Sequence, residues 1–275
     1  MRALFRRIGE CFMSIDNLSK PTYAIRDRTG VENLVYSIVS PNVLNYPQAV
    51  AWASQELRGG VLASVPEALV WRFEDTGEKE SPNASVVTRT FAAYFIDKNN
   101  LYVMISHNAD PRKNPVLAST NKGYATHIKG KEFKIPFQKG KKKTALWFLR
   151  HEAQKASMIH LLPEKSLELT LDGAYANNDI VRSLTGNLGL EQETYIARQI
   201  NPSTNTTYTI GRVWLLSPEI VTEEMNDDES VAIVRPCWVG GVNGNYIGNL
   251  GAYYQFNNSG RARSVVHGAR SAQAP

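Results

Sequence analysis

The sequence predicts an α+β fold with short antiparallel strands and two or more helices, and three observations support this. The chain has 275 residues, of which 43% are hydrophobic and 21% charged, the composition of a folded globular protein. Runs rich in β-branched and aromatic residues alternate with runs of helical periodicity. Two of the strand-like runs also flank a short polar turn, which is a hairpin signature.

The first predicted elements are a strand, a capped helix and a second strand. Residues 33–39 (NLVYSIV) have strand composition. A helix should follow, with Asn45 as its N-cap and with Gly59 and Gly60 ending it. Residues 61–65 (VLASV) then predict a buried strand.

A hairpin is predicted next, and helices and strands follow it. Residues 85–96 and 101–106 alternate in hydrophobicity on either side of Lys98, Asn99 and Asn100. The remaining predictions are a short strand at 133–137, helices at 145–159, 178–184 and 191–199, and strands at 208–216 and 231–234.

Charge is segregated along the chain. The net charge is +5, yet residues 98–165 hold fourteen Lys or Arg and four Asp or Glu, and the rest of the chain has a net charge of −5. The basic residues peak at Lys139, Lys141, Lys142 and Lys143. A solvated loop is the favoured interpretation of this peak, and a nucleic-acid interface is the alternative. The acidic segment 219–229 is complementary to it, within one chain or between subunits.

The motifs of common enzyme classes are absent, so the sequence predicts no enzymatic activity, no catalytic residue and no cofactor. It contains no GxSxG nucleophile elbow, no phosphate-binding loop, no dinucleotide fingerprint and no HExxH or CxxC pair. Its histidines lack metal-ligand spacing, so we expect no metal site and structural or solvated imidazoles. These histidines are His107, His127, His151, His160 and His267.

The two cysteines and the N-terminus are less informative. Cys11 and Cys237 either pair or remain thiols, and for Cys237 a buried structural thiol is favoured over a nucleophile. The sequence contains no run of about 18 apolar residues, so it predicts no membrane-spanning helix. Residues 1–15 make a poor signal peptide and are consistent with a short amphipathic helix.

The C-terminal segment has the composition of a recognition surface. Residues 240–260 contain six Gly and five Asn, with tyrosines scattered among them. Tyrosine supplies amphipathic contact area at small entropic cost, asparagine donates and accepts hydrogen bonds, and glycine lets the backbone approach a ligand. The alternative is a loop-rich β segment with half-buried aromatic rings.

Several segments carry a resemblance to a known family. Residues 36–67 resemble the opening of C-type-lectin-like and formylglycine-generating-enzyme-like domains. In those domains the first helix is followed by Gly-Gly and a Leu-Ala-Ser strand, as Gly59 and Gly60 are followed here by residues 62–64 (LAS). Later segments resemble the last strands of that fold: RVWLLSP (212–218), VAIVRPCWVGG (231–241) and GARSA (268–272). The branch to which the chain is most similar is the variable proteins of diversity-generating retroelements, which include phage receptor-binding proteins.

The resemblance implies a C-type-lectin-like domain with a large insertion. It divides the chain into an N-terminal extension (1–32), the first half of the domain (33–82), a basic α+β insertion (83–200) and the second half with its binding tail (201–275). The Glu-Pro-Asn and Trp-Asn-Asp motifs of calcium lectins are absent, as are the paired cysteines of formylglycine-generating enzymes. Neither calcium-dependent sugar binding nor that oxidation is therefore expected.

The resemblance also implies a function in ligand recognition. The partner would be a protein or cell-surface ligand, the protein a homo-oligomer such as a trimer, and its location a virion or cell surface. A virion structural or nucleic-acid-associated protein that uses the four lysines is the alternative. The implied ligand-binding residues are Trp238, Asn243, Asn245, Tyr246, Asn249, Tyr253, Tyr254, Asn257 and Asn258.

Overall fold

A computed structural model describes the central parts of the chain. The described residues are 22–26, 33–57, 59–73, 85–107, 115–116, 127–130, 132–135, 137–156, 159–163, 167–168, 178–186, 198–201, 206–209, 212–227, 229–240, 249–253 and 259–267.

Five helices and eighteen short strands make up these residues. The helices are α1 (Tyr46–Glu56), α2 (Val65–Phe73), α3 (Ala145–Ala156), α4 (Asp179–Thr185) and α5 (Pro218–Asp227). The first nine strands are β1 (Thr22–Arg26), β2 (Asn33–Val39), β3 (Leu44–Asn45), β4 (Val61–Leu62), β5 (Val86–Asp97), β6 (Asn100–Ser106), β7 (His127–Lys129), β8 (Glu132–Lys134) and β9 (Lys142–Thr144). The others are β10 (Ile159–Leu161), β11 (Leu167–Glu168), β12 (Arg198–Asn201), β13 (Thr206–Thr209), β14 (Arg212–Trp214), β15 (Ser230–Val239), β16 (Asn249–Gly251), β17 (Ser259–Gly260) and β18 (Arg263–His267).

The largest sheet has β5 and β15 at its centre. Its strand order is β10-β6-β5-β15-β16-β14-β11, and β7 also pairs with β15. A second sheet has the order β1-β2-β18-β4. Among the named pairs of described strands, β14 with β16 is parallel and the rest are antiparallel. The mixed α+β prediction, with short antiparallel strands and at least two helices, is confirmed.

Strand β2 pairs with β18, which joins the two ends of the described chain. Arg263 of β18 is buried, and its Nη1 donates to the Ser37 carbonyl at 2.8 Å. The Ser264 hydroxyl donates to the Ala53 carbonyl of α1 at 2.6 Å. Because both donors are buried, breaking either bond would leave a polar group without water, and helix α1 is thereby fixed on the second sheet.

Helix α1 begins as the sequence predicts. The Asn45 side chain accepts from the Gln48 backbone N–H at 3.0 Å, and the Gln48 side chain accepts from the Asn45 N–H at 3.0 Å, a complete capping box. Tyr46 in the first turn is buried and contacts the ring of Phe91 edge-on at 5.7 Å. The helix ends at Glu56, ahead of the predicted double glycine.

Helix α2 corrects the strand predicted at 61–65, because only Val61 and Leu62 are extended. Ser64 caps the helix that follows: its backbone N–H donates to the Glu67 carboxylate at 2.6 Å, and its hydroxyl accepts from the Glu67 N–H at 3.4 Å. Pro66 suits the first turn of a helix. The capping box Ser-Val-Pro-Glu lies inside an apolar run of strand-like composition, and the cap determines the structure.

Other predictions had mixed outcomes. The hairpin is confirmed as β5 and β6, and its two turn residues, Lys98 and Asn99, both have positive φ, as the twist of a two-residue hairpin requires. The helix predicted at 191–199 lies largely outside the described residues, and its last two positions belong to strand β12. The acidic segment forms helix α5, which was not predicted.

Helix α5 is attached to the large sheet through a shared carboxylate. Glu224 accepts a hydrogen bond from the buried guanidinium of Arg235 on β15 and lies 2.9 Å from His127 Nε2 on β7. Val221 and Met225, which lie one turn apart on the same helix, are buried in the core. Part of the acidic charge is therefore used within the fold.

His107 is a structural histidine, as expected. It is buried, and its Nε2 lies 2.5 Å from the Ser183 carbonyl, to which it must donate. Nδ1 is then the acceptor for the Thr90 hydroxyl at 2.9 Å, and that hydroxyl accepts from the Val65 N–H at 2.9 Å. These bonds satisfy the neutral ring, and burial lowers the pKa of His107 to about 4.

The folding free energy should depend on pH through this ring. The pKa of His107 in the folded protein is lower than in the unfolded chain, so its contribution is complete above about pH 6.5 and is lost as the pH falls toward 4. We expect this residue to lower the unfolding free energy by roughly 2 kcal/mol between pH 7 and pH 5. Urea unfolding of the wild type and of His107→Gln at both pH values measures it. Equal pH dependence in the two proteins would assign the effect to other groups.

Candidate ligand-binding face

Three aromatic side chains meet where β14, β15 and β16 lie side by side. Gly251 of β16 is paired with Trp214 of β14 on one side and with Trp238 of β15 on the other. Tyr253 follows two residues later, and its ring lies 5.9 Å from that of Trp214 and 6.4 Å from that of Trp238. All three rings are half-buried. We call Trp214, Trp238 and Tyr253 the aromatic row.

The neighbouring positions in the same strands form the protein core. Val213, Leu250 and Val239 are paired across β14, β16 and β15 in the same way, and each is almost fully buried. Successive side chains of a strand point to opposite faces of the sheet. The aromatic row therefore lies on the opposite face of the sheet from this apolar set.

The glycine in the middle of the row allows the rings to approach the backbone. A Cβ added at Gly251 would overlap the Trp238 indole, including its Nε1. The indole thus covers the space that a side chain at position 251 would need. At this position, the glycine of the tail is required by packing.

Tyr94 of β5 holds two of the three strands that carry the row, β14 and β16. Its buried hydroxyl donates to the Ala252 carbonyl at 2.8 Å and accepts from the Leu216 N–H at 3.3 Å. Those residues follow the last residues of β16 and β14 closely. Burial raises the pKa of Tyr94, which keeps this donor protonated.

A bulge in β15 sets the position of Trp238. The register between β15 and β5 shifts between Pro236 and Trp238. The Thr88 hydroxyl donates to the Cys237 carbonyl at 2.7 Å and so satisfies the irregular backbone. Cys237 itself is a buried free thiol, and burial raises its pKa, so it lacks the thiolate character of a nucleophile. Cys11 lies outside the described residues.

The structure brings together two of the predicted ligand-binding residues, Trp238 and Tyr253. The backbone of Asn249 is in β16, beside Arg212 of β14. The predicted residues outside the described part of the chain are Asn243, Asn245, Tyr246, Tyr254, Asn257 and Asn258.

Sequence reasoning missed Trp214 and Tyr94. Trp214 lies in a segment (RVWLL) that was assigned as a strand, but only the strand register shows that it flanks Gly251. Tyr94 occupies an alternating strand in which nothing distinguishes a supporting hydroxyl from an ordinary core ring. The one available signal was that Trp214 and Trp238 occur in two strand-like runs close to the tail.

The four predicted lysines lie elsewhere, two in the tip of the β8–β9 hairpin and two in strand β9. Lys139, Lys141, Lys142 and Lys143 are all exposed. The Lys143 ammonium lies 5.7 Å from the centroid of the Trp147 ring.

Two further properties can be stated for the described residues. They contain no group of three or more His, Cys, Asp or Glu side chains arranged to hold a metal ion. None of their helices combines the length and the apolar composition that crossing a membrane requires.

Comparison with known proteins gives one structural likeness. No family model and no curated protein matches the chain. A solved structure of a Nanoarchaeota protein is similar to it at 11% sequence identity and a TM-score of 0.45, over 92% of this chain and 100% of that chain. That protein is described as accommodating massive sequence variation by the C-type lectin fold.

The packing of Gly251 can be tested by adding one methyl group. In Gly251→Ala the Trp238 ring has to move, and overpacking of this kind costs about 1–3 kcal/mol. We expect a lower melting temperature and a shifted tryptophan fluorescence maximum. Gly130→Ala is the control, since the nearest atom to its new Cβ is Val231 Cγ1 at 3.3 Å. Identical melting and fluorescence for Gly251→Ala and the wild type would contradict this geometry.

Proposed function

We propose that this chain is a non-enzymatic recognition protein that binds a protein or cell-surface ligand through the aromatic row and the Gly/Asn/Tyr tail. The observation that carries the proposal is the meeting of three half-buried rings, Trp214, Trp238 and Tyr253, on the face of the sheet opposite the apolar set of Val213, Leu250 and Val239. Tryptophan and tyrosine dominate the binding energy of many interfaces because each gives a large, rigid contact area with a polar end.

Contacts with neighbouring residues hold the strands of the aromatic row in one arrangement. The Tyr94 hydroxyl bonds to the backbone just after β16, the Thr88 hydroxyl bonds to the β15 backbone, and Leu250 of β16 is buried in the core. A rigid surface loses little conformational entropy when it binds, so more of the contact energy appears as affinity. Strand β16 is part of the tail, so the asparagines and tyrosines on either side of it in the sequence would extend the same surface.

The finer part of the proposal is a variable protein of the diversity-generating-retroelement type, with phage receptor binding as one setting. It rests on the sequence resemblance and on the composition of residues 240–260. A homo-oligomer such as a trimer would present several weak sites to one surface and gain affinity through multivalency. The genomic neighbourhood tests this branch: a nearby reverse transcriptase and a near-identical second copy of the tail-coding stretch are expected, and absence of both would argue for a generic lectin-like domain.

Substitution in the row and the tail tests the binding function. The wild type is used to select ligands from a displayed random-peptide library and from a glycan array, and the selected ligands are measured against Tyr246→Ala/Tyr253→Ala/Tyr254→Ala. We expect at least a tenfold loss of affinity, since one interface hot spot is worth about 2 kcal/mol or more. The melting temperature should change little.

A matched control separates this surface from the rest of the molecule. Lys139→Ala/Lys141→Ala/Lys142→Ala changes three exposed residues of a different hairpin and should leave affinity for the selected ligands unchanged. Equal loss in both triple variants, or a large loss of stability in the tyrosine variant, would overturn the proposed site. A large loss of stability would mean that the tyrosines belong to the core.

A further inference from the structure

The tip of the β8–β9 hairpin is a closed, hydrogen-bonded loop. The Ile135 N–H donates to the Lys141 carbonyl at 2.9 Å, the Gln138 N–H to the Ile135 carbonyl at 3.2 Å, and the Lys141 N–H to the Gln138 carbonyl at 3.2 Å. Three backbone bonds within seven residues restrict the conformations of the tip. Side chains that project from it are therefore held at defined positions before any partner arrives.

Phe137 projects from this tip almost fully into solvent. It is 95% exposed, the highest value among the exposed large hydrophobic residues of the described chain. Its φ of 65° lies in the left-handed region, which is uncommon for a bulky residue. Phenylalanine is ordinarily among the most buried residues. A closed loop that holds this ring away from the core leaves both of its faces accessible to a partner.

Five lysines flank Phe137 in the sequence of the hairpin. Lys134, Lys139, Lys141, Lys142 and Lys143 are exposed and lie within ten residues of sequence. Lys134 and Lys142 are direct cross-strand partners, and like charges in that relation destabilise a hairpin. In the part of the chain that the structure describes, these five ammonium groups form no ion pair. An anionic partner would relieve the repulsion.

We propose that the β8–β9 hairpin binds single-stranded nucleic acid, with Phe137 stacking on a base and the lysines contacting phosphates. A stacking ring among cations is the combination by which proteins bind single strands, because every base has a π-face and every nucleotide carries a charge. In a duplex the base faces are already stacked, so the ring would gain nothing there. A membrane-surface site needs an apolar face of several residues, and this tip exposes one ring.

This site is independent of the proposed ligand-binding face. It uses none of the aromatic row, and its outermost residues belong to a local hairpin. The half-buried Trp147 of helix α3 lies beside Lys143, and its ring stacks on His151 with centroids 4.9 Å apart. One face of Trp147 is therefore already occupied by His151, which leaves Phe137 as the ring for a first base.

Fluorescence anisotropy on the full chain tests the proposal, with a labelled oligothymidylate of about 20 nucleotides and a duplex of equal length. Phe137→Leu keeps the apolar character and removes the π-system. We expect it to weaken binding of the single strand by about 5- to 100-fold and to leave duplex binding unchanged. Lys141→Gln/Lys142→Gln should lower the slope of log affinity against log salt by about 1.4.

Controls distinguish the hairpin from general basicity. Lys98→Gln/Lys129→Gln removes two exposed charges elsewhere on the chain and should keep the affinity within about twofold and the salt slope within about 0.3 of the wild type. Phe137→Asn retains a residue suited to positive φ and should melt like the wild type while binding like Phe137→Leu. Equal binding of the single strand by wild type and Phe137→Leu, or no binding by the wild type at about 50 mM salt, would overturn the proposal. Phe137-dependent sedimentation with phosphatidylserine vesicles, without preference for the single strand, would overturn it in favour of a lipid surface.

Discussion

The pairing of β15 with β5 is the constraint on which the rest of the fold depends. It joins segments far apart in sequence, as Thr88 and Cys237 show at a separation of 149 residues. Six consecutive residues of β15, from Ala232 to Cys237, are buried, and this burial offsets the entropy of closing so long a loop. Once β15 is in place, β7 and helix α5 pack along its first half, and β16 pairs with its end. The register of β14, β15 and β16 then places the residues of the aromatic row side by side.

The two proposed binding surfaces differ in how they are built. The row depends on three strands from distant parts of the chain, so a one-residue slip in β15 or β16 would carry its rings to the core face. The hairpin tip is shaped by backbone hydrogen bonds between near neighbours, and Phe133 of β8 anchors the hairpin on Phe148 of helix α3, with ring centroids 6.3 Å apart. The geometry of the first surface is therefore set by long-range register, and that of the second by its own loop and one contact with a helix.

A feature of this fold could be predicted from the sequence when the interactions that determine it are local. Asn45 and Gln48 cap a helix within four residues, and Lys98 and Asn99 turn a hairpin within two, so both were predictable. The cap of α2 is equally local, but its Ser64 lies inside an apolar run whose hydrophobic pattern favours a strand. The candidate site was only partly predictable: composition singled out Trp238 and Tyr253, whereas Trp214 and Tyr94 join them through long-range register that no window of sequence contains.

The glycine between the two tryptophans has a consequence for engineering this scaffold. Position 251 lies in the middle of the candidate surface but is buried, because the Trp238 indole occupies the volume that any side chain there would need. A combinatorial library built on this chain should therefore keep residue 251 invariant and direct its diversity to other positions of residues 240–260. Such a library would vary the contacts with a ligand and keep the packing of the Trp238 indole on Gly251 intact.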